Sequence, residues 1–329
     1  MLGDGPSSPN YGLGFVLTCV AGFATVLGVG FVPLLSYGAP RTVTSAALGF
    51  AAGVMLYVSF VDVLGEEAKE FFEDHFKGGG GSDETEDGEN VMVRISVAVF
   101  FFLGIGLAMV LLRIMDAFHS HGHGPESSPS RDVELSGERG ERPSPSPLTG
   151  GSEGTGHDHQ VLTRGRSRSL TSDQSSLERV SLVAFVALTL HNFPEGLATF
   201  FGGGNKSFAV PFAIAMHNIP EGAAIAIPIY QSSGSVMKAV RNTCIAGLAQ
   251  PAGALMGWIL ILGLGVENVS NFVYGALYSA TAGIMVCVSI MELIPEALQG
   301  GSPFFVGCCI FGGFLIMEVS IILLGLSGL

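Results

Sequence analysis

The sequence predicts an all-α membrane protein with eight transmembrane helices, and three observations support this fold class. Only 13% of the 329 residues are charged, whereas a soluble domain carries roughly 25%. The mean hydropathy of +0.51 favours lipid as the main solvent. Eight apolar stretches reach or exceed the roughly 20 residues that a helix needs to cross a bilayer: residues 12–36, 45–64, 92–114, 178–201, 208–230, 237–264, 270–294 and 303–327.

An internal repeat predicts how these spans are arranged. AGVMLYVSFVDVLGEE at 52–67 aligns with AGIMVCVSIMELIPEA at 282–297, in spans two and seven. Because these two spans cross in opposite directions, we expect inverted repeats in a 3+2+3 arrangement. The first three-helix repeat is predicted at residues 1–114, with an acidic outer loop at 65–90. A loop between spans three and four follows at 115–178, two central helices at 179–230, and the second three-helix repeat at 231–329.

The distribution of basic residues predicts the orientation of the chain. With the N-terminus outside, eleven of the fifteen lysines and arginines fall on the cytosolic side, in agreement with the positive-inside rule. An even number of spans then places both termini on the extracellular or lumenal side. The sequence predicts a multi-pass protein of the plasma membrane or of an organelle membrane.

Two polar segments separate the spans. Residues 65–90 contain ten acids and two lysines, and this acidic surface disfavours nucleic acid as a partner. Residues 115–178 are rich in Ser, Pro and Gly, so we expect a long disordered cytosolic loop. Its histidines could hold a metal ion weakly, or they could belong to a plain solvated linker: His119, His121, His123, His157 and His159.

Two related motifs stand inside the central spans, HNFPEG at 191–196 and HNIPEG at 217–222. Within each motif, His and Glu are four residues apart and Asn and Glu three apart, so they share one helix face. If the two helices cross near the motifs, imidazole, carboxylate and amide groups converge on one place. Mixed nitrogen and oxygen ligands suit zinc, iron and manganese. The candidate metal ligands are His191, Asn192, Glu195, His217, Asn218 and Glu221.

The prolines of the motifs predict a polar path. Pro194 and Pro220 lack an N–H, so the carbonyls of Leu190 and Met216 lose their usual helical partners. Such carbonyls are tolerated in a membrane only beside protein or a water-filled cavity. The alternative is that the motif residues are polar groups that hold helices together. An ionisable side chain at a span centre costs about 3 kcal/mol, so four of them in matched positions favour the metal-site interpretation.

Acids of the internal repeat are candidates for the two mouths of this path. Asp62 and Glu66 lie near the outer end of span two, and Glu292 and Glu296 near the inner end of span seven. Alternatively, they are interfacial charges that face water. The sequence contains neither HExxH nor GxxxxGK[ST], so we expect no metalloprotease, no enzyme and no ATP-driven pump. A metal exporter and a metal-sensing receptor with the same ligands stay open.

The paired motifs, GFAAGVML at 49–56 and AGIMVCVSIMEL at 282–293 resemble the ZIP family of zinc and iron transporters, most of all its ZupT-like branch. The resemblance implies that Zn²⁺, and also Fe²⁺, Mn²⁺ or Cd²⁺, moves toward the cytosol as a substrate rather than a cofactor. It implies alternating access, and it leaves a homodimer open. Gln250 stands where the family pattern implies a further carboxylate at a second, adjoining metal site.

Overall fold

The computed structural model describes residues 10–34, 41–79, 86–120, 178, 181–201, 209–264 and 270–327. Every regular element within these ranges is helical. Six helical spans in this part of the chain are long and apolar enough to cross a membrane. Two further helices carry the HNFPEG and HNIPEG motifs. The prediction of an all-helical membrane protein is therefore confirmed.

The first half of the chain forms spans one to three. Helix α1 begins where the Asn10 side chain accepts a hydrogen bond from the Leu13 N–H at 3.1 Å, an N-cap that satisfies a free backbone donor. Span one consists of α1 (Tyr11–Leu27) and a 3₁₀ segment, Gly28–Leu34. Span two consists of α2 (Arg41–Tyr57), a π-helical segment (Val58–Ala68) and α3 (Lys69–Gly79), and span three is α4 (Glu86–Ser120).

The second half supplies the remaining spans. The central helices are α5 (181–201) and α6 (Ala209–Ser233). Span six is α7 (Val236–Leu264). Span seven consists of α8 (Asn271–Val288), a π-helical segment (Ser289–Leu293) and α9 (Ile294–Gly300), and span eight is α10 (Pro303–Ser327).

The packing of the helices agrees with two inverted repeats. Helix α2 packs against α10, and its counterpart α8 packs against α4. Both α2 and α8 change to a π-helix at matched positions, and there the hydroxyls of Ser59 and Ser289 donate to the carbonyls of Met55 and Met285 at 2.7 and 2.8 Å. Helix α1 packs against α7, its own counterpart. This packing is compatible with repeats of the first three and the last three spans, which stay a prediction.

The segment predicted as an acidic outer loop differs in the structure. Residues 65–79 continue span two as a helix, and the chain is again helical from Glu86. Two aromatic residues explain the difference, because Phe71 stacks on Tyr278 and Phe72 packs against Phe100. A buried phenylalanine ring removes about 150 Å² or more of apolar surface from water. Burial of these two rings therefore holds the charged extension against α4 and α8.

Candidate metal centre

The two HNxPEG motifs lie in the middle of α5 and α6, and both helices continue through the motif prolines. Each motif ends in a glycine that touches the backbone of a neighbouring helix. Gly196 lies against Gln250 of α7, and Gly222 lies against Thr25 of α1. A Cβ at either position would overlap a main-chain oxygen. These glycines therefore let α5 and α6 approach the scaffold closely, as small residues do in membrane bundles.

The histidine of each motif faces the glutamate of the other. His191 Nε2 lies 2.7 Å from Glu221 Oε1, and His217 Nε2 lies 2.5 Å from Glu195 Oε1. All four side chains are buried. One ligand atom from each of His191, Glu195 and Glu221 falls within 4.8 Å of the others. The sequence-predicted imidazoles and carboxylates are thus brought together between two helices.

The two motif asparagines are oriented by the scaffold. Asn192 Nδ2 donates to the Ala246 carbonyl of α7 at 3.2 Å, and Asn218 Nδ2 donates to the Ala21 carbonyl of α1 at 2.9 Å. These bonds fix both amides, so their oxygens are presented away from the two carbonyls. Within the described residues, neither Oδ1 atom has a hydrogen-bond partner although both are buried.

Further acceptor atoms in the centre also lack donors. Both Glu221 oxygens and His191 Nε2 are buried without a hydrogen-bond partner among the described residues. The 2.7 Å approach of His191 to Glu221 therefore brings two ligand atoms close without hydrogen-bond alignment. A buried polar group left unpaired destabilises a fold by about 1–3 kcal/mol. A cation held among these acceptors would offset that penalty.

Gln250 belongs to the same cluster, although the sequence marked it only by comparison with a family pattern. It is fully buried on α7. Its Nε2 donates to Glu195 Oε2 at 2.8 Å, and its Oε1 accepts from Asn218 Nδ2 at 3.0 Å. The amide therefore links one residue of each motif.

A small cavity, here called the access cavity, adjoins His217 and Glu195. Asp62 lines it, as does Glu67 rather than the predicted Glu66, which is exposed. The π-helical segment explains this difference, because residues five apart share a face there whereas residues four apart share a face in an α-helix. The lining residues are Val58, Asp62, Val63, Glu67, Glu195, Ala198, Thr199, His217, Tyr278, Thr281 and Met285.

Among the other predicted residues, the acids of span seven are not part of this cluster. Glu292 and Glu296 are partly exposed on span seven, and Glu296 accepts a hydrogen bond from Gln299 at 2.6 Å. They do not line the access cavity. His119 is in the last turn of α4, and the remaining loop histidines lie outside the described residues: His121, His123, His157 and His159.

The fold and this centre define a multi-pass membrane protein with a buried cluster of side chains of the types that can hold a metal ion. The profile of the ZIP Zinc transporter family matches residues 10–320. The chain therefore belongs to the ZIP family, a family of transporters rather than enzymes. It is 31% identical over 312 residues to "Zinc transporter ZupT" of Chlorobium phaeovibrioides, covering 94% of this chain and 97% of that relative.

Two more relatives carry the same printed name. The protein of Chlorobium limicola is 30% identical over 318 residues, or 96% of this chain and 99% of the relative. The protein of Streptococcus mutans is 44% identical over 152 residues, or 45% of this chain and 56% of the relative. In that last alignment, the chain spans little more than half of the relative's length.

Proposed function

We propose that this protein carries divalent metal ions across a membrane, with Zn²⁺ as the main substrate and Fe²⁺, Mn²⁺ and Cd²⁺ as further candidates. The observation that carries the proposal is the buried cluster in which ligand atoms of His191, Glu195 and Glu221 lie within 4.8 Å of one another. The Asn192 and Asn218 amide oxygens add buried acceptors that have no hydrogen-bond partner among the described residues. Imidazole and oxygen ligands suit these ions, and a centre without thiolate releases its ion more readily. The names of the relatives support zinc as the substrate.

An asymmetry between the repeats supports alternating access. Four polar residues of the access cavity have apolar counterparts at the repeat-related positions on the opposite side of the centre. Thr199, Tyr278, Thr281 and Glu67 correspond to Ile225, Leu48, Ala51 and Ala297. All four counterparts belong to the main buried apolar core. Asp62 is an exception, because its counterpart Glu292 is also an acid. The difference at the other four positions between the two sides of the centre supports an inverted-repeat carrier.

The family resemblance supplies the proposed direction of transport, and the predicted orientation of the chain is compatible with it. With both termini outside, the access cavity lies on the extracellular or lumenal side, because its residues come from the outer halves of spans two, four, five and seven. We therefore propose uptake toward the cytosol. The domain boundaries at 1–114, 115–178, 179–230 and 231–329, a homodimer, and metal binding by the loop histidines stay predictions.

Zinc flux into sealed vesicles with a known protein orientation tests this proposal. We expect saturable zinc entry when the access-cavity side faces the zinc solution. Flux only in the reverse sense would identify an exporter. Zinc binding without flux in either sense would identify a metal-sensing receptor. A His191→Ala, His217→Ala protein in the same vesicles is the control for leakage.

Glu67 offers a specific test of the access cavity. We expect Glu67→Gln to raise the zinc concentration for half-maximal uptake about fivefold, because one lost negative charge along the path weakens cation attraction by about 1 kcal/mol. The maximal rate should change little, since Glu67 is not in the cluster of close ligands. Initial uptake rates over a zinc series measure both quantities.

Glu66→Gln is the matched control, because Glu66 is the adjacent acid and is exposed. It should leave both the half-maximal concentration and the maximal rate unchanged. If the two variants behave alike, the π-helical placement of Glu67 along the ion path is wrong.

A further inference from the structure

Gln250 has three properties that distinguish it from a residue that only packs in the core of the helix bundle. It is fully buried, its amide nitrogen contacts a glutamate of the metal cluster, and its amide oxygen contacts the other motif. The network also fixes which end of the amide points where. Exchanging nitrogen and oxygen would set an N–H group against the Asn218 donor and an oxygen against the Glu195 carboxylate.

We propose that the Gln250 amide occupies the place of a second cation beside Glu195 and so restricts the centre to one divalent ion. This inference rests on the proposed function. A carboxylate commonly bridges two ions by placing one oxygen on each. Here Oε1 of Glu195 faces His217 at 2.5 Å, toward the cluster, while Oε2 accepts the Gln250 N–H at 2.8 Å. The partner of Oε1 is an imidazole that is itself a candidate ligand, so an ion bound by both groups can replace their contact, whereas Oε2 is bonded to a neutral amide donor.

Charge balance in the buried centre leads to the same result. Glu195 and Glu221 are the two acids of the cluster that the structure describes, so one divalent cation neutralises them. A carboxylate at position 250 would add a third buried negative charge beside Glu195. Buried like charges are strongly unfavourable unless a cation or a proton compensates them. The residue at position 250 therefore sets how many divalent ions the centre holds.

Direct metal ligation by Gln250 fits the contacts less well. Its Oε1, the atom that a metal would need, accepts from Asn218 Nδ2. Asn218 is in turn tied to the Ala21 carbonyl of α1. Ligation would break this bond and leave the Asn218 donor and the Glu195 oxygen without Gln250. We therefore assign Gln250 as a positioning residue that acts through Glu195 and Asn218.

Counting bound ions tests the assignment in the purified full chain. The five loop histidines are replaced by serine in every variant, so that the loop does not contribute to the count. After dialysis against limiting free Zn²⁺, and separately Cd²⁺, elemental analysis gives the number of ions per chain. We expect one ion with Gln250, two with Gln250→Glu, and one with Gln250→Leu, which removes the amide without adding a charge.

His191→Ala in the same background shows whether the counted ion belongs to the centre, and its count should fall to zero. Two ions on the protein with Gln250, or one on folded Gln250→Glu, would overturn the inference. Should Gln250→Glu fail to fold, the count on the protein with Gln250 still tests the claim. No bound ion on that protein would overturn the proposed function itself, and this inference with it.

Discussion

Zinc flux through Glu195→Ala protein is expected to fall more than about a hundredfold. Glu195 contacts His217 at 2.5 Å and Gln250 at 2.8 Å, and its ligand atom lies within 4.8 Å of those of His191 and Glu221. Its removal takes away a proposed ligand and leaves His217 and Gln250 without their shared partner. Loss of groups that merely orient metal ligands already costs tenfold to a hundredfold. Initial rates of zinc entry into reconstituted vesicles measure the effect.

Two controls separate this loss from misfolding. Glu66→Ala removes an exposed acid of span two and should transport normally. Glu195→Ala protein should reach the membrane and elute as a single species, because the helix contacts at Gly196 and Ala198 do not use its carboxylate. Normal zinc entry through folded Glu195→Ala protein would show that the buried centre is not on the transport path.

The second large effect is expected from Gly222→Leu. Gly222 lies directly against the Thr25 backbone of α1, so the added side chain has no rotamer that avoids the neighbouring helix. Inserting atoms into a tightly packed core typically costs 1–3 kcal/mol, and this main-chain contact allows less adjustment than a side-chain contact. We expect a loss of more than about 3 kcal/mol of stability, a clearly lower melting temperature and no zinc flux.

Gly106→Leu is the matched control for this substitution. Gly106 also lies in a membrane-spanning helix, α4, but a Cβ there meets no atom within 4 Å. Its melting temperature and zinc flux should stay close to those of the unaltered protein. Equal melting temperatures for Gly222→Leu and Gly106→Leu would show that close packing of α6 on α1 does not hold the centre together.

Much of this arrangement could be predicted from the sequence, because hydrophobic periodicity and internal repetition are visible in it. Apolar stretches of membrane length predicted the spans. The 230-residue offset between spans two and seven predicted a repeat, and within it Ser59 and Ser289 make matched hydrogen bonds. The three- and four-residue spacings within each motif predicted that His, Asn and Glu share a face. Their convergence follows from the crossing of α5 and α6 in the structure.

Other features could not be predicted because they depend on tertiary contacts or on a change of helix type. In an α-helix, Asp62 and Glu66 would share a face, but in the π-helix of span two Asp62 shares its face with Glu67 instead. The five-residue spacing of Asp62 and Glu67 matches the period of a π-helix, and an interpretation based on α-helical spacing misses it. The helical extension at 69–79 depends on stacking of Phe71 and Phe72 against distant rings. The dual contact of Gln250 needs three helices in place.

X-ray absorption at the zinc edge tests most directly whether the His and Glu cluster is the ion-binding centre. The full chain with its loop histidines replaced by serine is loaded with less than one equivalent of zinc. We expect imidazole nitrogen and carboxylate or amide oxygen at about 2.0–2.2 Å and no sulfur. The nitrogen signal of imidazole should disappear in a His191→Ala, His217→Ala protein. Zinc bound to sulfur at about 2.3 Å, or a spectrum unchanged by those two substitutions, would contradict the assignment of this centre.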